Sequence, residues 1–294
     1  MVILIADRFD PSLADRLEEL GEVTDDLSRL PEADVLIVRS KTKCTREFLE
    51  RADNLRLIIR GGVGLDNIDL VSAGELGIAV QNTPRASAVA VAELTLALML
   101  AASSRVIEAH NSMAAGEWKK GELKRSELFG KRLCLVGLGS IATEVAVRAR
   151  AFGMTVQGFR RSGRPHELAR VLESLESAVE GADYVSLHLP LTSETQGIIQ
   201  KGIIAHMKRG VVLINTSRAG CVATEDVLEA LKSEQVAVYA VDVWPSDPPA
   251  ADFPLLGVGN VIMTPHIGAS TKENLLRIGE EVYNAVTNFQ TEHV

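Results

Sequence analysis

Short runs of aliphatic and β-branched residues alternate with longer stretches of helical periodicity along the chain, beginning at residues 2–6, 35–39 and 57–59. A parallel strand needs a crossover, usually a helix, to re-enter its sheet, so this alternation predicts βαβ units. The pattern then changes. Residues 86–104 read as a long Ala-, Leu- and Val-rich helix with almost no breakers, and the polar, Gly-bounded stretch 116–130 reads as a surface excursion. That helix is expected to be the seam between two domains. Six further strand candidates follow it, at residues 132–137, 155–159, 184–187, 211–215, 236–243 and 261–264.

Six parallel strands with intervening helices predict a doubly wound sheet of the dinucleotide-binding type. The last helix, 272–289, is too short to be a domain and is expected to pack back onto the first one. The expected fold class is therefore α/β, with two Rossmann-like doubly wound domains, the first discontinuous. Residues 1–98, completed by 271–294, would form the substrate domain and 99–270 the dinucleotide-binding domain, with the active site in the cleft between them.

Composition narrows the functional classes. Of the 294 residues 46% are apolar and only 4% aromatic, which suits a large aliphatic core. Thirty-one basic residues against 39 acidic ones give a net charge of −8 and no general attraction to nucleic acid or anionic lipid. No apolar run approaches the ~20 residues that span a bilayer. The N-terminus has neither a basic start nor a small-residue cleavage site, so a cytoplasmic protein is expected. Cys44, Cys134 and Cys221 are odd in number, lie in apolar surroundings and form no C-x-x-C, which argues against a disulfide framework and against a zinc site; no metal is expected.

Gly137-Leu138-Gly139-Ser140-Ile141-Ala142 follows the apolar run 133–136 and opens an Ala- and Val-rich helix. In that context the first glycine permits a tight turn, and the second lets backbone N–H groups approach a pyrophosphate at the positive helix end. The third position needs only a small residue, here Ala142. About 20 positions on, an NAD-type site carries an acidic residue for the ribose hydroxyls. Here the segment reads Arg160-Arg161-Ser162-Gly163-Arg164 instead. Clustered guanidinium groups fit a ribose 2′-phosphate through charge-assisted bonds, so NADP(H) is favoured and NAD(H) remains possible; the alternative is a solvated basic loop.

Three polar groups fall just past the predicted ends of the last three strands: Arg218 in NTSRAG, Asp247 in VDVWPSDPP and His266 in TPHIGAS. Open α/β sheets assemble ligands at that edge. The planar fork of Arg218 could hold a carboxylate and polarise a neighbouring carbonyl. An imidazole such as that of His266, with an unperturbed pKa near ~6.5, suits reversible proton transfer, and Asp247 could accept its other N–H. Each alone has a bland reading: a surface salt-bridge arginine, an incidental loop histidine, a turn aspartate.

The order VGLGSIA, HLPLTSET, NTSRAG, VDVWPSDPP and TPHIGAST resembles the D-isomer-specific 2-hydroxyacid dehydrogenase family, and RSKTKCT, RGGVGLDNIDL and NTP extend the likeness over nearly the whole chain. Within it the chain is most similar to the D-3-phosphoglycerate dehydrogenase branch, without the C-terminal regulatory domains some members carry. The resemblance implies hydride exchange between C2 of a hydroxy acid and nicotinamide C4, with Arg218 binding substrate, His266 as acid/base and Asp247 as its partner. It also implies cofactor contacts at Gly137, Gly139, Ser140, Ile141, Leu189, Thr216, Ser217, Asp242 and Gly268, joined by Arg160, Arg161 and Ser162. Gly62 and Val63 would receive the substrate carboxylate, and Arg39, Ser40 and Arg60 its phosphate. The chain departs from the family where Asp247 replaces the usual Glu, where Arg160 replaces the usual Asp, and at Arg85 and Ser87.

The expected reaction is oxidation of 3-phosphoglycerate to 3-phosphohydroxypyruvate. The alternative within the chemistry is an NADPH-linked glyoxylate or hydroxypyruvate reductase, and the alternative of another class is an NADP(H)-sensing interaction protein. The Ala-rich helix and the excursion holding Trp118 are expected to bury a homodimer interface.

Overall fold

The computed structural model describes residues 1–293, and the chain divides into two compact units, residues 1–87 with 269–294 and residues 88–268. The first unit holds a five-stranded parallel sheet in the order β2-β1-β3-β4-β5. Its strands are β1 (Val2–Ile5), β2 (Glu22–Thr24), β3 (Val35–Val38), β4 (Leu57–Arg60) and β5 (Ala79–Asn82). Side chains alternate across a strand, and both faces here are covered, which is why β3 reads as an unbroken apolar run. Ile3, Val35, Ile37, Leu57 and Ile59 face helices α1 (Pro11–Leu17) and α10 (Lys272–His293). Leu4, Leu36, Val38 and Ile58 face the opposite core with Leu49 of α2 (Arg46–Leu49) and Ala73 of α3 (Leu70–Glu75).

The second unit holds a seven-stranded parallel sheet in the order β12-β11-β10-β9-β6-β7-β8. The strands are β6 (Arg132–Val136), β7 (Thr155–Phe159), β8 (Arg170–Val171), β9 (Tyr184–Leu187), β10 (Val211–Asn215), β11 (Val236–Val241) and β12 (Val261–Met263). Chain order reverses between β6 and β9, the crevice where doubly wound sheets bind ligands. One face packs on α4 (Ala88–Ser104) and α6 (Ser140–Ala151), through Leu133, Leu135 and Ile214. The other packs on α7 (Leu175–Val179), α8 (Lys201–His206) and α9 (Thr224–Lys232), through Val136, Leu187, Leu213 and Val241.

Two expectations change. The division falls at Ser87 and Ala269 rather than at residues 98 and 271, because α4 packs along its length on α6, β10, β11 and β12 and so belongs wholly to the second unit. The second sheet has seven strands, not six. β8 is two residues long, an edge pairing of Arg170 and Val171 with β7 that no apolar run announces. At Arg105, where φ is 50°, the chain bends by 63° into α5 (Val106–Ala114). Among the described residues no single helix is long and apolar enough to cross a membrane.

Candidate active site

All seven strands of the second sheet run parallel, so the loops after β6, β7, β9, β10, β11 and β12 open on one edge. At the turn after β6, Gly137 has φ +90°, and a Cβ there would stand 2.4 Å from the carbonyl oxygen of His188. Only glycine meets both conditions. Gly139 is the N-cap of α6 and offers no side-chain cap, while a Cβ on it would enter open space. Ser140 and Ile141 begin the helix, and Ala142 at the third position is fully buried. Backbone N–H groups at such a helix end favour an anion.

Beyond β7 the Nε of Arg160 is buried without a hydrogen-bond partner. Arg161 pairs with Glu194, and both are largely exposed, as is Ser162. After β9, His188 sends its backbone N–H to Val136 O and sets its Nε2 3.0 Å from Ser186 Oγ, while its Nδ1 is buried without a partner. Burial pushes its pKa down to about 3, so the ring is neutral. Leu189 packs beside Gly137. An uncapped helix N-terminus, open space at Gly139 and an unpartnered guanidinium nitrogen are groups that could hold a dinucleotide.

The turn after β10 is built on fully buried Asn215. Its Oδ1 accepts the N–H and hydroxyl of Ser217 at 3.0 and 2.8 Å, and its Nδ2 donates to Arg218 O at 2.9 Å. The Thr95 hydroxyl donates to Val91 O, so Thr216 donates to Thr95 across 3.0 Å. Sequence reasoning placed Thr216 and Ser217 along the cofactor; the Ser217 hydroxyl bonds within the turn and the Thr216 hydroxyl bonds to α4. Arg218 is half-buried and donates to Ser217 O at 2.7 Å.

Asp242 is also buried. Its carboxylate accepts from Thr264 Oγ1 at 2.6 Å and from the N–H groups of Ile267 and Gly268 at 2.9 and 2.8 Å. Expected at the nicotinamide end, it pins the loop that carries His266. Gly268 permits that approach, since a Cβ there would meet Asp242 Oδ2 at 2.9 Å. Trp244 adds a bond from Nε1 to Thr264 O. So held, His266 sits at φ +55°, a conformation that persists in a non-glycine residue only where its surroundings over-determine it. Its Nδ1 contacts Asp247 Oδ2 directly, with no water between, so the shorter acid reaches the ring by loop placement. Sequence reasoning missed Asn215, Trp244 and the anchoring role of Asp242; an Asn or Asp at a strand end carries no signal of whether it faces solvent or its own loop.

In the first unit, Gly62 has φ +143° and lies against the Arg60 guanidinium, which donates to Gly61 O at 3.4 Å. Val63 is exposed, and the buried Thr83 hydroxyl close by has no partner. Arg39 is fixed by its backbone, which donates to Asp7, while its Nη1 donates to Arg8 O; burial lowers its pKa. Ser40 is exposed. Gly62 and Arg60 thus stand together at the end of β4, and Arg39 and Ser40 stand in the loop after β3.

The family described as D-isomer specific 2-hydroxyacid dehydrogenase, NAD binding domain, matches residues 96–268. A hydroxypyruvate reductase from Thermotoga maritima is 44% identical over 259 residues, covering 87% of this chain and 85% of that protein. A D-3-phosphoglycerate dehydrogenase from Methanocaldococcus jannaschii is 42% identical over 284 residues, 92% of this chain, but the match spans only 54% of its length. Among solved structures, an acyclic imino acid reductase in complex with NADPH and D-Arg superposes with a TM-score of 0.92 at 26% identity, covering 99% of this chain and 98% of that one. Other structures of the same fold hold NAD. The matched domain contains the whole carboxyl edge described above, and on these likenesses the chain belongs to the D-isomer specific 2-hydroxyacid dehydrogenase family.

Proposed function

We propose that this chain interconverts a small D-2-hydroxy acid and its 2-oxo acid, with NADP(H) as the redox partner. The observation that carries the proposal is the direct His266–Asp247 contact on the sheet edge from whose loops Arg218 and the Gly139 turn also arise. A bound nicotinamide supplies a hydride acceptor or donor at C4. During oxidation His266 Nε2 removes the hydroxyl proton, and during reduction the imidazolium returns it to the oxygen. Asp247 holds the Nδ1–H tautomer and the orientation of the ring. The Arg218 guanidinium binds carboxylate and polarises the adjacent carbonyl.

The substrate proposed first is the 3-phosphoglycerate and 3-phosphohydroxypyruvate pair. Support comes from the likeness to phosphoglycerate dehydrogenases and from the basic groups Arg39 and Arg60. A second reading, reduction of hydroxypyruvate or glyoxylate by NADPH, is favoured by the unpartnered Arg160 Nε and by the T. maritima relative. Assay of both substrate pairs with both cofactors separates them. Turnover of phosphohydroxypyruvate well above hydroxypyruvate supports the first, and the reverse supports the second.

We further propose a homodimer. A groove of about 920 Å³ lies between α4, α5, residues 117–126 and the amino ends of β10 to β12, bordered by Ile107, and the excursion leaves Trp118 76% exposed. Sedimentation at micromolar concentration is expected to give twice the chain mass; a monomer contradicts it.

A further inference from the structure

The loop from Arg160 to Ala169 carries the groups assigned above to a ribose 2′-phosphate, and a chain of hydrogen bonds ties it to the pyrophosphate turn. Leu168 N–H donates to His166 Nδ1 at 3.2 Å. His166 Nε2 lies 3.0 Å from Thr143 Oγ1, and Thr143 Oγ1 donates to Gly139 O at 3.0 Å. These bonds settle the tautomer. Nδ1 accepts, so Nε2 carries the hydrogen, and the Thr143 hydroxyl, its own proton directed at Gly139, can only accept it. Burial and the charge of Arg160 lower the His166 pKa against the opposing pull of Glu167, which keeps the ring neutral as the relay requires. A further polar link from this loop, Arg161 to Glu194, is solvent-exposed on both sides and holds little. Within the loop, Gly163 at φ +61° doubles the chain back so that its N–H meets Arg160 O at 3.0 Å.

We propose that His166, acting through Thr143, is a positioning residue for NADP(H) selection: it fixes the Arg160–Ser162 segment relative to the Gly139 turn, so that guanidinium and hydroxyl groups stand ready for a 2′-phosphate. This rests on the NADP(H) reading of the site. Misplacing such groups by ~1 Å can cost ~10²-fold, and the effect falls on the dinucleotide that bears the phosphate. NADH, lacking it, gains nothing from that placement.

The experiment titrates the full chain with NADPH and with NADH, following nicotinamide fluorescence. His166→Ala and Thr143→Val break the relay; His166→Gln, which can still donate to Thr143, and Thr143→Ser, which keeps the hydroxyl, preserve it. Both breaking variants are expected to lose about tenfold or more of the preference for NADPH over NADH, with NADH affinity held within about threefold, while both conservative variants retain the preference. Imidazole ¹⁵N shifts of wild-type protein at neutral pH are expected to show the Nε2–H tautomer. An unchanged preference in both breaking variants overturns the inference, as does an equal loss of affinity for both dinucleotides, which a merely structural role would produce. A wild-type chain that binds NADH more tightly than NADPH ends the cofactor reading and this inference with it.

Discussion

His266 reaches Asp247 directly although the acid is one methylene shorter than the family's usual glutamate, so the 242–248 segment of this chain is set for the shorter side chain. Asp247→Glu, which restores the family's residue, is therefore expected to lower kcat, by about tenfold, because the extra ~1.5 Å displaces the ring or the loop. A steady-state assay of that variant checks it, and a gain in kcat contradicts the geometry. His188 makes a second prediction at this scale. Its pKa is held at about 3 in the fold against ~6.5 in an unfolded chain, so protonation favours unfolding. Its contribution to stability is complete above pH 6.5 and is lost progressively as pH falls toward 3, at up to ~1.4 kcal/mol per pH unit. Urea denaturation at pH 6.5 and pH 5 should show a smaller loss in His188→Asn than in wild type; equal losses would contradict the assignment.

The turns between elements separate positions that stabilise the fold from positions that leave room for a ligand. Gly137→Ala places a Cβ against His188 O in a left-handed backbone and is expected to cost about 1–3 kcal/mol from strain alone, read by chemical denaturation. Gly139→Ala adds its Cβ to open space. Its stability is expected to stay within about 0.5 kcal/mol of wild type while dinucleotide affinity falls, since the methyl fills the approach to the helix end. The sequence made the Gly137 turn and the strand ends bearing Arg218 and His266 legible, because buried parallel strands write continuous apolar runs and the special residues follow at their carboxyl ends. Elements at the sheet margins were not legible. β2, β5 and β8 are short edge strands with few buried side chains, and α4 looked like a seam because a helix that is apolar all round carries no record of which unit covers it. Nor could the sequence show that Ser217 turns its hydroxyl onto its own loop, Thr216 onto α4 and Asp242 onto the loop after β12, since such hydrogen bonds leave no periodicity.

At the scale of the molecule, the first unit is assembled from both ends of the chain, and fully buried Asn274 joins them. Its Nδ2 donates to Ala269 O at 2.7 Å and to Ser87 Oγ at 3.2 Å, with Arg277 Nε adding a bond to Ala86 O. Asn274→Leu leaves the buried Ser87 hydroxyl and the part-buried Ala269 carbonyl without this donor and is expected to destabilise the chain by about 1–3 kcal/mol, read as a lowered denaturation midpoint. The central claim, that one imidazole and one guanidinium at the carboxyl edge of the second sheet move a proton and polarise a carbonyl while nicotinamide exchanges a hydride, has its most direct test in isotope transfer. NADPH deuterated at C4 is supplied with 3-phosphohydroxypyruvate, and in parallel with hydroxypyruvate and glyoxylate, and the products are analysed by mass spectrometry, with chiral analysis of the glycerate products. The account predicts deuterium at C2 of a D-configured hydroxy acid for the glycerate products, and a rate about 10² to 10⁴ times lower in His266→Gln with NADPH affinity retained. Absence of label at C2 for every acceptor, with NADPH and with NADH likewise deuterated at C4, or full turnover in His266→Gln, would contradict it.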